Sequence, residues 1–294
     1  MTSTYARAIT CLALTIVVPL ASGGPAQAAP LFGATGTGGG TGTLVSIDPT
    51  TGVATAIGPT NDALGQNYRL TGLAFDSATG VLYGSANRTS PTNPASLVTV
   101  DPLTGLVTLV GSYGQAGETM ADLTFNPGGT LYGWLEPDGD DLYSIDPSTG
   151  VATLIGDSGL GTFGSGLAAD GSGVLFLAGT GTGGFLHTID AGTGAATLGA
   201  ALDAGPAGGG SSVSALEFSP EGVLFGVVGQ SGGLAPSYLV TINTQTGAIT
   251  SIGQSIDRLD AIAFQPDLVP EPGTLGLLAV GCLAGWVLRR RRTA

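Results

Sequence analysis

One line of residues keeps returning along this chain, and it constrains the fold more than any other feature. It reads Leu44-Val45-Ser46-Ile47-Asp48-Pro49-Thr50-Thr51-Gly52 and runs on to Gly58. It recurs as Leu97 to Gly111, Leu142 to Gly156, Leu186 to Gly199 and Leu239 to Gly253. The turn aspartates stand at Asp48, Asp101, Asp146 and Asp190, with Asn243 in the fifth copy, at steps of 53, 45, 44 and 53 residues. A second line lies between the copies: Leu73-Ala74-Phe75 to Leu82-Tyr83-Gly84, then Leu123 to Gly133, Leu167 to Leu177 and Leu216 to Gly226. Each unit thus holds four short apolar runs, A (Leu73-Ala74-Phe75), B (Leu82-Tyr83-Gly84), C (Leu97 to Asp101) and D (Leu106 to Val110), separated by Gly, Pro, Asp and Asn. Such runs and breaks read as strands and turns. Four strands in a unit of roughly 40 to 50 residues are one propeller blade.

The ends distinguish a closed ring from an open stack. Pro30-Leu31-Phe32-Gly33 is a B run without its A, and Asp260-Ala261-Ile262-Ala263-Phe264 is an A run without its B. Each supplies what the other lacks, so pairing them completes a blade and leaves no exposed seam. The expected fold is all-β: a five-bladed β-propeller closed by its N- and C-terminal strands. The fourth unit departs from the pattern, with Ala169 in the Phe position and Ala191 after Asp190, which predicts looser packing there. The Leu-x-x-Leu-Ala-Phe, Leu-Tyr and Ile-Asp-x-x-Thr-Gly lines resemble those of a broad group of bacterial surface propellers, over nearly all of residues 31 to 266. That resemblance implies the fold and no one function, since propellers host binding, scaffolding and catalysis alike.

Composition agrees and excludes several classes. The 52 glycines show no triplet period, and 43% apolar content with 10% charged residues excludes a disordered acidic tail. The net charge of -13 argues against nucleic acid as a partner. Cys11 and Cys282 lie in the terminal segments, so the central region has no disulfide, thiol nucleophile or cysteine zinc site.

Both ends read as addresses. Residues 1–28 combine Arg7, an apolar run from Ala8 to Ala21 and the triplet Ala26-Gln27-Ala28, a signal peptide for signal peptidase to cut after Ala28. Residues 269–294 hold Pro270-Glu271-Pro272, an apolar stretch over 274–288 as a transmembrane segment, and Arg289, Arg290, Arg291 and Arg292. The arginines would hold that end in the cytoplasm. This order resembles a PEP-CTERM sorting signal. The resemblance implies recognition by an exosortase-type enzyme, an inner-membrane intermediate, and then the cell surface or extracellular matrix. Residues 29–268 remain as the propeller.

Strand direction puts the short A–B and C–D turns on one end and the varied D–A and B–C loops on the other. Variation on one end marks the binding face. It carries Tyr68, Arg69, Arg88, Tyr113, Glu118, Trp134, Phe163 and Arg258, aromatics among polar groups of the kind that stack on sugars and bond their hydroxyls; ordinary solvated loop residues are the alternative. Glu136, Asp138, Asp140 and Asp141 offer oxygen ligands to calcium without the spacing of an EF-hand, and a polar loop is the other reading. His187 replaces valine or tyrosine within a C run and reads as structural. Asp122, Glu217 and Asp260 on the innermost strands are the only catalytic equipment in view, able to cleave glycosides if two sit about 5 to 9 Å apart. The expectation is an exported, non-enzymatic matrix, adhesion or ligand-binding protein that contacts polysaccharide without a cofactor. A glycan hydrolase and a protein-binding scaffold are the alternatives.

Overall fold

The computed structural model describes residues 29–36, 39–115, 117–137, 139–180, 184–203, 212–229 and 236–266. Blade 1 takes β1 (Leu31–Thr35), β2 (Thr43–Ile47) and β3 (Ala54–Pro59) from the start of this region. Blade 2 is β4 (Leu70–Phe75), β5 (Leu82–Ala86), β6 (Ser96–Val100) and β7 (Val107–Ser112). Blade 3 is β8 (Thr119–Phe125), β9 (Leu131–Glu136), β10 (Asp141–Ile145) and β11 (Ala152–Asp157). Blade 4 is β12 (Phe163–Ala169), β13 (Leu175–Thr180), β14 (His187–Ile189) and β15 (Ala196–Thr197). Blade 5 is β16 (Val213–Phe218), β17 (Leu224–Val228), β18 (Pro236–Ile242) and β19 (Ile249–Asp257), and the last strand is β20 (Leu259–Phe264). Each blade is an antiparallel meander, and β20 joins blade 1 in the order β20-β1-β2-β3. Leu31 pairs with Phe264 and Gly33 with Ile262, and Gln265 N–H donates to Pro30 C=O at 2.8 Å.

In four of the five blades the repeated lines fold alike for local reasons. In the C–D turn of blade 3, Asp146 Oδ1 accepts from Ser148 N–H at 2.8 Å and from its hydroxyl at 2.7 Å, while Gly150 N–H returns to Asp146 C=O at 2.8 Å. Gly150 sits at φ 79°, a conformation side chains disfavour. The C–D pairs of blades 1, 2, 3 and 5 shift register at the same place, one position after the conserved-in-repeat leucine: Leu44/Val45, Leu97/Val98, Leu142/Tyr143 and Leu239/Val240. Blade 4 is the short one, its β14 and β15 having three and two residues.

The core is five layers, each between neighbouring blades. Leu70, Leu73 and Val98 of blade 2 pack on Phe32 and Leu44 of blade 1, and equivalent clusters fill the other four gaps. Aromatic pairs staple four gaps: Phe32–Phe75, Tyr83–Phe125, Phe176–Phe218 and Phe225–Phe264, at 5.0 to 5.7 Å between centroids. The fifth gap places Ala169 beside Tyr132, so the fourth unit's missing phenylalanine removes one staple. His187 is buried in β14 with its ring edge-on to Phe185 at 6.4 Å, as a packing residue.

Candidate functional site

Five innermost strands meet at the axis because their middle residues are small. Gly72, Gly166, Ala215 and Ala261 hold that level in four blades, and a Cβ on Gly166 would lie 2.5 Å from Leu216 N. Blade 3 has Asp122 instead. Its fully buried carboxylate accepts from Leu123 N–H (2.9 Å), Leu167 N–H of β12 (3.0 Å) and Leu216 N–H of β16 (3.1 Å). One side chain therefore ties three blades across the axis and divides the central space into two pockets. Burial pushes its pKa well above the ordinary carboxylate range, against the pull of the three N–H donors.

Above this plug lies a funnel of about 220 Å³ on the D–A and B–C loop end. Every blade contributes near the start of its innermost strand: Thr71, Thr119, Phe163, Ser214 and Asp260. Asn87, Arg88 and Glu136 add walls from the B–C side. Phe163 is 59% exposed, an open aromatic surface at the funnel. Glu136 is 3% exposed; its Oε2 accepts from Gly164 N–H, and its Oε1 has no hydrogen-bond partner among the described residues. Burial raises the Glu136 pKa and the Asp140 charge adds to this, against the Ser165 hydroxyl, the Gly164 N–H and the Thr162 hydroxyl. Arg88 is exposed, and its backbone N–H donates to Thr119 Oγ1 at 3.1 Å.

Below the plug, at the short-turn end, the last residues of the same five strands, Phe75, Phe125, Ala169, Phe218 and Phe264, line a second pocket of about 400 Å³ together with Glu217. Burial pushes Glu217 up to about 8.

The structure redistributes the sequence candidates. Of the expected binding face, Arg88 and Phe163 reach the funnel. Tyr68, Tyr113 and Trp134 are core residues instead: Trp134 lies within β9 rather than in a loop, and Tyr68 and Tyr113, just outside the strands, pack into the layers between blades. The Tyr68 hydroxyl accepts from Asn93 Nδ2 at 2.7 Å, and Trp134 Nε1 donates to Thr162 Oγ1 at 2.9 Å. Arg69 and Arg258 line a separate groove with Thr35, Thr41, Thr43 and Asp257, and Glu118 is part-buried outside both cavities. Asp260, Asp122 and Glu217 stand at three successive levels of the axis, in the funnel, in the plug and in the lower pocket, so they do not share one cavity.

For the calcium loop, the Asp140 carboxylate accepts from Thr162 Oγ1 at 2.8 Å while Glu136 turns to Gly164. Among the described residues no three His, Cys, Asp or Glu side chains converge on a metal-sized space. Asp138, Ala28, Pro270, Glu271, Pro272, the 274–288 segment and Arg289 to Arg292 lie outside the described residues. Among the described residues no helix is long and apolar enough to cross a membrane. Sequence reasoning missed Thr71, Thr119, Asn87 and Ser214. A signal was present: a polar residue precedes the small axial residue in Thr71-Gly72, Ser165-Gly166, Ser214-Ala215 and Asp260-Ala261.

Two families match the chain: "Repeat of unknown function (DUF6923)" over residues 26–198 and "PEP-CTERM protein-sorting motif" over residues 268–292. No curated protein matches. Among solved structures, a protein of unknown function from Bacteroides thetaiotaomicron is similar at 16% identity and TM-score 0.46, over 66% of this chain and 52% of its own. This chain thus spans about half the length of that protein. A nidogen/laminin complex chain is similar at 13% identity and TM-score 0.48, over 81% and 98%. A protein of unknown function from Bacteroides caccae follows at 12% identity and TM-score 0.42, over 76% and 72%.

Proposed function

Since the chain belongs to the repeat family of unknown function DUF6923 and ends in a PEP-CTERM sorting motif, we propose that it is a surface-delivered lectin-like propeller that binds polysaccharide in its axial funnel without cleaving it. The motif marks the protein for an exosortase-type enzyme, by way of a membrane-held intermediate, and for the cell surface. In the extracellular matrix such a binder would act as an adhesin. The observation that carries the reading is the funnel itself, where an exposed Phe163 stands among the hydroxyls of Thr71, Thr119 and Ser214 and the carboxyl of Asp260. An aromatic face accepts the apolar face of a sugar ring, and the surrounding donors and acceptors take its hydroxyls.

The test is a glycan array probed with the purified full chain and with Phe163→Ala, followed by an assay for new reducing ends. Selective binding that the substitution removes, with no new ends, supports the reading. Binding that survives Phe163→Ala places the ligand elsewhere, and silence on every glycan favours a protein partner. One observation favours a second reading as a hydrolase: Glu136, with its raised pKa, shares the funnel with Asp260. New reducing ends lost in Glu136→Gln would establish it.

A further inference from the structure

We propose that the funnel takes the terminal residue of a glycan chain, and that this residue carries an amine. The inference rests on the polysaccharide reading above and adds where on the chain the protein binds and which sugar it selects.

Geometry carries the first part. A groove that binds the interior of a polymer must let the chain enter and leave. Here the exit along the axis is shut, because Asp122 bonds to β8, β12 and β16 at the level where the strands come closest. The lower pocket is separate and opens at the opposite end. The funnel's volume of about 220 Å³ lies below the roughly 300 to 1,000 Å³ of sites that enclose drug-sized ligands. One sugar ring entering end-on suits a funnel of this size that is shut at its base, and the rest of the chain then points out to solvent.

Charge carries the second part. Two carboxyl groups, Glu136 and Asp260, line the funnel against one arginine, and that arginine is exposed. Glu136 is nearly fully buried, yet its Oε1 has no hydrogen-bond partner among the described residues. A buried acceptor left unmatched is costly, so an occupant that brings a donor to it gains the full value of that bond. An ammonium group is the strongest such donor, because it also answers the negative charge of the funnel. An amino sugar supplies this group beside a ring face for Phe163. An acidic sugar would meet repulsion both here and from a domain with far more carboxylates than arginines.

The experiment is calorimetric titration of the full chain, purified in detergent, with β-1,4-linked glucosamine oligomers of two to six residues, their fully N-acetylated counterparts and a lysine-rich peptide. The expected result is one site per protein, with affinity per chain unchanged by length. N-acetylation and Glu136→Gln should each weaken binding by about tenfold or more, the size of one charge-assisted hydrogen bond. Phe163→Ala, an exposed position that leaves the thermal transition in place, should weaken it as well. Affinity that climbs with each added residue would overturn end recognition and leave the polysaccharide reading standing. Equal binding of acetylated oligomers would overturn the amine. Binding of the lysine peptide with none of any oligomer would overturn the saccharide reading itself, and so would silence on all three probes.

Discussion

Asp122 shows what one side chain can do where four neighbours are glycine or alanine. Its carboxylate satisfies three buried N–H groups from three blades, and the small residues opposite leave room for it. Removing it in Asp122→Ala leaves those donors unmatched, at about 1 to 3 kcal/mol for each. Urea unfolding should show the variant severely destabilised. Asp122→Asn, which keeps one acceptor oxygen, should lose less. Glu217 allows a prediction in pH. Its pKa is raised from 4.5 to about 8 by burial, so the stability tied to its protonated form is complete below about 4.5 and is lost as pH rises toward 8. The turn residues Asp48, Asp146 and Asp190 have lowered pKa values from their hydrogen bonds, so their contribution exists above 3.8 and is lost in stronger acid. The melting temperature should therefore peak in mildly acidic solution and fall between pH 5 and 8, and Glu217→Gln should flatten that fall. An unchanged fall in the variant would assign it to general charge repulsion instead. At this scale the sequence was least legible. Trp134 and Phe163 read alike as loop aromatics, yet both lie in strands, one sealed inside β9 and the other open at the start of β12, because how far a strand extends and what its face meets depend on neighbouring blades and no local pattern records that.

Between neighbouring blades, two glycines of the repeated line work as an interlock. A Cβ on Gly111, near the end of β7, would lie 2.0 Å from Thr149 C=O in the next blade's C–D turn, and one on Gly150 would lie 2.5 Å from Gly111 C=O. The same contact joins Gly156 to Thr193, and Gly253 to Thr51 across the ring's closing gap. Blade 4 departs because its line is one residue shorter between Asp190 and Gly199. Gly199 then faces its own Leu186, and Ala201 takes over the contact with Gly247. Two substitutions separate conformation from contact. Gly222→Ala, at φ 80° with nothing within 4 Å among the described residues, should cost only the backbone penalty of about 1 to 2 kcal/mol. Gly150→Ala should cost that amount plus about 1 to 3 kcal/mol for displacing the neighbouring blade. Equal costs in denaturant melts would mean the interlock contributes nothing. The strands, their order and the turn chemistry could all be read from the line, because they follow from local periodicity and from what Asp and Gly do in turns. The role of Gly58, Gly111, Gly156 and Gly253 could not, since its cause lies in the adjacent blade.

For the whole molecule, the ring was legible because each terminal run lacked the partner that the other could provide. The funnel was not, because it assembles one residue from each of five distant strands. Asp260 belongs to both stories: it lines the funnel and sits on β20, the strand that closes blade 1. Closure should therefore be required for stability and for binding together. A chain ending before Leu259 would expose the edge of β1 and strip Leu259, Ile262 and Phe264 from the layer between blades 5 and 1. Each such apolar side chain contributes about 1.5 to 3 kcal/mol when fully buried, which is large against the roughly 5 to 15 kcal/mol that holds a domain folded. The truncated chain should lose its cooperative melt. A circular permutant offers the matching control, because Gln265 N–H already bonds to Pro30 C=O and a short linker can join residue 266 to residue 29. Opened in the exposed turn between Gly128 and Gly129, it keeps every strand but moves the seam to blade 3, between β8 and β9. It should melt cooperatively and retain the glycan binding of the parent. A permutant that fails to fold while the truncated chain survives would mean that blade 1 is held by its neighbours alone, and that β20 serves only to carry Asp260 to the axis.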